Sequence, residues 1–194
     1  GVTFPVAEIV DLAHRHGARV LLDAAQAPMT HRLDVRRLGA DFVALSVHKM
    51  LGPTGTGVLY AREEAQEGLR PLLVGGETVL DATYTTREMA PAPDRFEAGL
   101  QDYAGVAGAG AAAKYLAALG PEAIHAHAVA LNREATGRML GVPGVRVLGP
   151  ADAALRGGIL NFVPEGMQAA DLSRILDETS GIMVRAGRHC VHSW

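Results

Sequence analysis

Residues 42–60, FVALSVHKMLGPTGTGVLY, constrain this chain more than any other stretch. The unbroken run Phe42 to Val47 passes into His48-Lys49 and then into a Gly/Pro/Thr segment. A run of that length and β-type character reads as a strand covered on both faces, which delivers His48 and Lys49 to its carboxyl end. In open α/β sheets that edge holds the ligand. A lysine fixed there, beside Ser46 and a glycine-rich loop, can be partly desolvated, leaving an amine able to form a Schiff base. The alternative is a solvated charge that caps a strand edge. The next segment, GPTGTG, lacks the Gly-Lys-Ser/Thr ending of a phosphate loop and opens into another apolar strand, Gly57 to Ala61. It therefore reads as a tight turn between strands.

A second polar group is aimed at the same edge. Pro5 to His16 has apolar residues at 6, 9, 10 and 13, the helical spacing, with Pro at the start and Gly17 after the end. His14 and His16 favour the dipole of that helix and read as structural. Ala18 to Leu22 is then a short buried strand running into Asp23-Ala24-Ala25-Gln26, which makes half of a βαβ unit. Asp23 is either the N-cap of a helix beginning after it or a carboxylate delivered beside Lys49. A carboxylate that keeps a pyridine nitrogen protonated and a lysine that takes an aldehyde are together what a pyridoxal phosphate site needs.

Composition excludes several classes. The chain has 194 residues, 48% hydrophobic and 20% charged, enough to bury a substantial α/β core. Its net charge of −3, with scattered lysines and arginines, offers no footprint for nucleic acid or an anionic membrane. No run approaches the roughly 18 apolar residues of a membrane span. Cys190 is the single cysteine, which excludes an intramolecular disulfide and suits a reducing cytoplasm. A start at Gly1 without Met and a stop soon after Cys190 lead us to expect a fragment.

Further along, Ala61 to Leu69 reads as a short charged helix, Gly75-Gly76-Glu77 as a backbone device near a site mouth, and 78–94 as a surface loop. Tyr103 to Leu119 reads as a closely packed buried helix; its glycines lack the preceding strand of a dinucleotide fingerprint. Gly120-Pro121 separates it from a helix over Glu122 to Leu140 and places a domain boundary near 119–121. There follow strands Val145 to Leu148 and Ile159 to Val163, a helix Gln168 to Thr179 and a last strand, Ile182 to Arg185. His125 and His127, two apart on a helix, diverge, and His189-Cys190-x-His192 lacks a second ligand cluster, so neither reads as a metal site.

The ordered series Asp23-Ala24-Ala25-Gln26, Ser46-x-His48-Lys49, Gly52-Pro53-Thr54-Gly55-x-Gly57, Arg95-Phe96-Glu97-Ala98-Gly99 and Arg185-x-Gly187-x-His189-Cys190 resembles the class V pyridoxal-phosphate enzymes. Within that class it is most similar to cysteine desulfurases of the iron–sulfur assembly type and to selenocysteine lyases. The resemblance runs from Val2 to Cys190. It implies an α/β, aspartate-aminotransferase-like fold (fold type I), with 1–119 in a large, mostly parallel-sheet cofactor domain and 120–194 in a small C-terminal α/β domain. Lys49 would bond the cofactor aldehyde, Asp23 would partner the pyridine nitrogen, Gln26 would donate to the phenolic oxygen, and Ser46 and His48 would hold the phosphate. Arg185 would bind the substrate carboxylate, and Cys190 would take the sulfur of L-cysteine as a persulfide, releasing alanine. The resemblance also implies a homodimer that hands sulfur to an acceptor protein.

Three places in the chain depart from the family pattern. Leu100 follows Gly99 where a threonine usually reaches the phosphate of the partner subunit's cofactor. Arg188 stands where a histidine commonly precedes His189, and Val191-His192-Ser193-Trp194 follow Cys190 in place of a small residue and Met-Pro. Two other readings stand beside the desulfurase: a selenocysteine lyase or other class V lyase or aminotransferase, and an inactive unit that serves binding or dimerisation.

Overall fold

A computed structural model of the protein describes residues 2–189. They form two compact units, Pro5–Ile124 and residues 2–4 with 125–189.

In the first unit, α1 (Val6–Arg15) forms on the expected spacing, with Pro5 before it and Val10 buried. Three strands come next: β1 (Leu21–Asp23), β2 (Phe42–Ser46) and β3 (Gly57–Ala61). β2 is central, parallel to β1 and antiparallel to β3, with Asp23 opposite Ala44 and Ser46 opposite Gly57. Val10, Ala24, Ala40 and Val43 make the core between α1 and the sheet. Val43 is fully buried, a contribution of about 1.5–3 kcal/mol relative to exposure. Between β1 and β2, α2 (Val35–Leu38) is capped by Asp34, whose carboxylate accepts the Arg37 amide at 3.0 Å.

Several expectations need correction here. The strand expected over Ala18 to Leu22 starts only at Leu21 and includes Asp23, and Leu21 is 60% exposed rather than buried. The reason lies at Val20, whose amide is taken by the Asp41 carboxylate and whose carbonyl accepts from both Asp41 and Phe42 amides, so no regular ladder forms there. β2 stops at Ser46, and Val47 opens a 3-10 turn, Val47–Met50. The charged helix shrinks to α3 (Glu63–Gln66).

The expected loop over 78–94 contains a hairpin, β4 (Val79–Ala82) and β5 (Arg87–Met89). Its turn has no Asn-Gly or Asp-Gly signal. Thr83 Oγ1 accepts the Thr85 and Thr86 amides instead, and the Thr83 amide donates to Thr86 O at 2.8 Å. Helix α4 (Tyr103–Leu119) spans the expected residues, yet only one face is covered: Gly105, Ala112 and Leu116 are buried, while Val106, Tyr115 and Leu119 are exposed.

Helix α5 (Pro121–Leu140) runs across the division after Ile124. In the second unit β6 (Val145–Leu148) pairs antiparallel with β7 (Asn161–Pro164), two residues later at its start than expected, and α6 (Ala169–Ser180) comes after it. Buried Arg156 donates to Thr136 Oγ1 at 2.7 Å, and Asn132 Nδ2 donates to Gly157 O at 2.9 Å, which joins α5 to the segment before β7. The expected strand Ile182 to Arg185 is absent among the described residues. Its β-branched pattern finds no partner strand, Met183 is 86% exposed, and the Val184 carbonyl accepts from Ser173 Oγ at 3.1 Å instead.

Candidate functional site

The carboxyl ends of β1 and β2 point the same way because the two strands are parallel. The ladder extends one step beyond Asp23, with the Ala24 amide donating to Ala44 O at 2.8 Å. Asp23 Oδ1 accepts the Ala25 amide at 2.9 Å, a local turn, which leaves Oδ2 without a hydrogen bond among the described residues. Asp23 is therefore not the cap of the short 3-10 turn Ala27–Met29. Gln26 occupies that place and makes no side-chain capping bond.

On the neighbouring strand Ser46 is the last residue, and the 3-10 turn Val47–Met50 carries His48 and Lys49. Val47 is fully buried and anchors that turn, its carbonyl accepting the Gly52 amide at 3.0 Å. His48 is exposed and Lys49 half-buried, with no ion-pair partner for Lys49 among the described residues. The turns Ala27–Met29 and Val47–Met50 lie against one another. One edge thus gathers Asp23, Gln26, Ser46, His48 and Lys49. A cleft of about 560 Å³ elsewhere in this unit is lined by Arg32, Asp34 and Arg37 and by none of these residues.

A brace unforeseen in the sequence holds the loop after Lys49. The Val47 amide donates to Thr56 O at 3.2 Å, and Thr56 Oγ1 donates to Asp102 Oδ2 at 2.7 Å. Asp102 Oδ1 in turn accepts the Gly105 amide at 2.9 Å, capping α4. The Thr56 hydroxyl first, and the Gly105 amide second, hold the Asp102 carboxyl below its ordinary value against a smaller opposing effect of burial.

The Arg95-Phe96-Glu97-Ala98-Gly99 motif is pinned at both ends. Arg95 Nη2 donates to Gln66 O at 2.8 Å while its guanidinium stands 4.9 Å from the Phe96 ring centre. The Gly99 amide donates to Gly76 O at 2.9 Å, so the paired glycines 75–76 are held to the motif, and Leu100 beyond it is exposed. The fully buried Thr78 adds a bond from its hydroxyl to Gly75 O at 2.7 Å.

In the second unit Arg185 is exposed, and His189 Nε2 donates to its carbonyl at 3.0 Å. With Gly187 and His189 both at positive φ, this bond closes a turn just before Cys190 in the sequence. Cys190 and His192 lie outside the described residues. Among the described residues no group of three or more His, Cys, Asp or Glu could hold a metal ion, and no helix is long and apolar enough to cross a membrane. His14 bonds Asp41 and His16 bonds Leu12 O.

Comparison with known proteins identifies the family. The family model described as Aminotransferase class-V matches residues 1–194. A relative named as a probable cysteine desulfurase 2 of Mycobacterium leprae is 43% identical over 190 residues, 98% of this chain and 45% of the relative. Among solved structures, the apo cysteine desulfurase of Thermococcus onnurineus NA1 superposes with a TM-score of 0.90 at 36% identity, covering 98% of this chain and 47% of that one. A structure of C-DES with glycine covalently linked to its PLP cofactor is similar at a TM-score of 0.78 and 26% identity, over 94% of this chain and 49% of that one. The chain thus spans about half the length of the proteins it matches.

Proposed function

The chain belongs to the aminotransferase class V family and has its aspartate-aminotransferase-like fold, fold type I, and on that premise we propose that it forms the lysine-bearing part of a pyridoxal 5'-phosphate-dependent cysteine desulfurase. The observation that carries this reading is the shared sheet edge, formed by the adjacent carboxyl ends of β1 and β2 and the turns after them, that carries Asp23, Gln26, Ser46, His48 and Lys49.

The donor set fits the cofactor: a carboxylate with a free oxygen, an amide, a hydroxyl, an imidazole and an amine, all on one edge. When bound, pyridoxal phosphate supplies an aldehyde that bonds an amine and a ring that withdraws electrons from the substrate's α-carbon. In this reading Lys49 would hold the cofactor through its Nζ and serve as the base for the α-proton of cysteine, while Asp23 would keep a proton on the ring nitrogen. Gln26 donates to the phenolic oxygen, and Ser46 and His48 bind the phosphate. Arg185 orients the substrate carboxylate through its planar fork. Cys190 Sγ, as a thiolate, would attack the substrate sulfur; the new S–S bond forms as the Cβ–S bond breaks with its electron pair left on Cβ, and alanine leaves after Cβ takes a proton and Lys49 returns the proton to Cα. Arg188 and His189 favour the Cys190 thiolate.

Residues 1–119 are assigned to the large cofactor domain and 120–194 to the small one. The assembled enzyme is a homodimer in a reducing cytoplasm that passes persulfide sulfur to an acceptor protein for iron–sulfur cluster assembly. A lone cysteine and an unremarkable net charge of −3 suit that setting. The likeness to C-DES, a cystine C-S lyase, also favours a second reading, another class V lyase.

The test is turnover of L-cysteine by the full-length protein, with alanine and sulfane sulfur quantified together. Equal amounts of the two, and a Cys190→Ser variant that keeps cofactor absorbance but loses the persulfide, are expected. Sulfur release without alanine, or selenide release from selenocysteine undiminished in Cys190→Ser, favours the lyase. Failure to take up cofactor leaves the inactive binding unit.

A further inference from the structure

We propose that Thr56 and Asp102 are positioning residues for Lys49, through the hydrogen bond that ties the loop after the lysine to the start of α4. The inference rests on the reading of Lys49 as the cofactor-bearing lysine.

Lys49 sits on one 3-10 turn, Val47–Met50, which is too short to fix its own direction. What holds it is Val47. The Val47 side chain is buried, its carbonyl receives the Gly52 amide, and its amide donates to Thr56 O at 3.2 Å. The heading of the turn therefore depends on where the Thr56 backbone lies. Thr56 is placed in turn by its hydroxyl, 2.7 Å from Asp102 Oδ2, and Asp102 is the cap of the 17-residue helix α4. A chain of three links thus runs from a rigid helix to the lysine's turn.

Two features indicate that the link is built for an exacting geometry. A Cβ at Gly105 would overlap both the Asp102 carboxylate and the Thr56 hydroxyl, so the helix leaves room for the pair only because that residue is glycine. The carboxylate also serves two donors with two oxygens, Thr56 Oγ1 on Oδ2 and the Gly105 amide on Oδ1. An O–H···O⁻ bond of this kind is about twice as strong as a neutral one. The pair is solvent-exposed, so its contribution to global stability is small, whereas its leverage on the turn is direct.

Asparagine at 102 still caps the helix, because Asn and Asp are equivalent caps, but offers one acceptor oxygen to two donors. The test is the rate at which the full-length apo protein captures pyridoxal phosphate on Lys49, read as borohydride-reduced adduct mapped and quantified by mass spectrometry. Thr56→Val should slow capture about tenfold, as should Asp102→Asn to a lesser degree, because small misplacements of a reacting group cost rate steeply. Thr56→Ser should restore capture to within about twofold of wild type, and Asp34→Asn, the same cap change on α2, should leave it unaltered. Thermal midpoints should stay within about 4 °C of wild type, the range of a 1 kcal/mol effect. Wild-type capture rates in both Thr56→Val and Asp102→Asn overturn the inference. So does Thr56→Ser as slow as Thr56→Val, which would make the effect one of packing. A wild-type protein that forms no adduct on Lys49 overturns the functional reading itself, and this inference with it.

Discussion

His14 Nε2 lies 2.9 Å from Asp41 Oδ2, and the same oxygen accepts the Val20 amide proton at 2.7 Å. One carboxylate thereby ties the last turn of α1 to the residues that lead into β1 and β2, the strands whose ends carry Asp23 and Ser46.

Burial, the largest influence on Asp41, raises its carboxyl, but the His14 and Val20 hydrogen bonds and the charges of His14 and Arg62 outweigh it and hold it below its ordinary value. The folded value is the lower one. The ionised carboxylate therefore adds stability above the ordinary value, and that stability is lost as pH falls through the folded value. Asp41→Ala should cost about 1–3 kcal/mol, because the Val20 amide loses its acceptor. It should also flatten the acid limb of a stability profile followed by circular dichroism. An acid limb identical to wild type would show that this carboxylate does not govern it.

Gly52 faces the buried anchor of the lysine's turn, and a Cβ there would overlap Val47 Cγ1. Gly52→Ala should destabilise the protein by about 1–3 kcal/mol, the usual cost of overpacking a tight core position. Chemical denaturation measures this. A neutral result would mean that the Val47 side chain can yield without disturbing the turn.

The strand-end residues were legible in the sequence because an apolar run that stops at a charged side chain is a local signal, given by Asp23 after Val20 to Leu22 and by His48-Lys49 after Val47. Helices α1, α4 and α5 were legible from spacing, Pro and Gly for the same reason. What failed was non-local. The hairpin β4–β5 turns on threonine hydroxyls, which carry no distinctive turn signature, and Ile182 to Arg185 has strand propensity without a strand to pair with. Leu21 reads as buried by composition, yet 60% of it is open among the described residues. The Thr56–Asp102 bond spans 46 positions, and neither residue is unusual in its own neighbourhood.

Asp23 has its Oδ2 available at the same edge as Lys49. Asp23→Ala should lower kcat about 100-fold or more, the scale of losing a group that manages a proton in the transition state. Lys49 should still capture the cofactor, since the Asp23 side chain supports only the exposed Ala25 turn. Steady-state kinetics and adduct mapping together read this. Normal turnover would remove Asp23 from the ring nitrogen.

The most direct test of the central claim is borohydride reduction of the full-length protein loaded with pyridoxal phosphate, with peptide mapping of the product. The account predicts one reduced adduct, on the peptide that carries Ser46 to Met50, with the mass on Lys49, and complete loss of that adduct and of the visible cofactor band in Lys49→Ala. An adduct on Lys114, or a visible band that persists in Lys49→Ala, would contradict it.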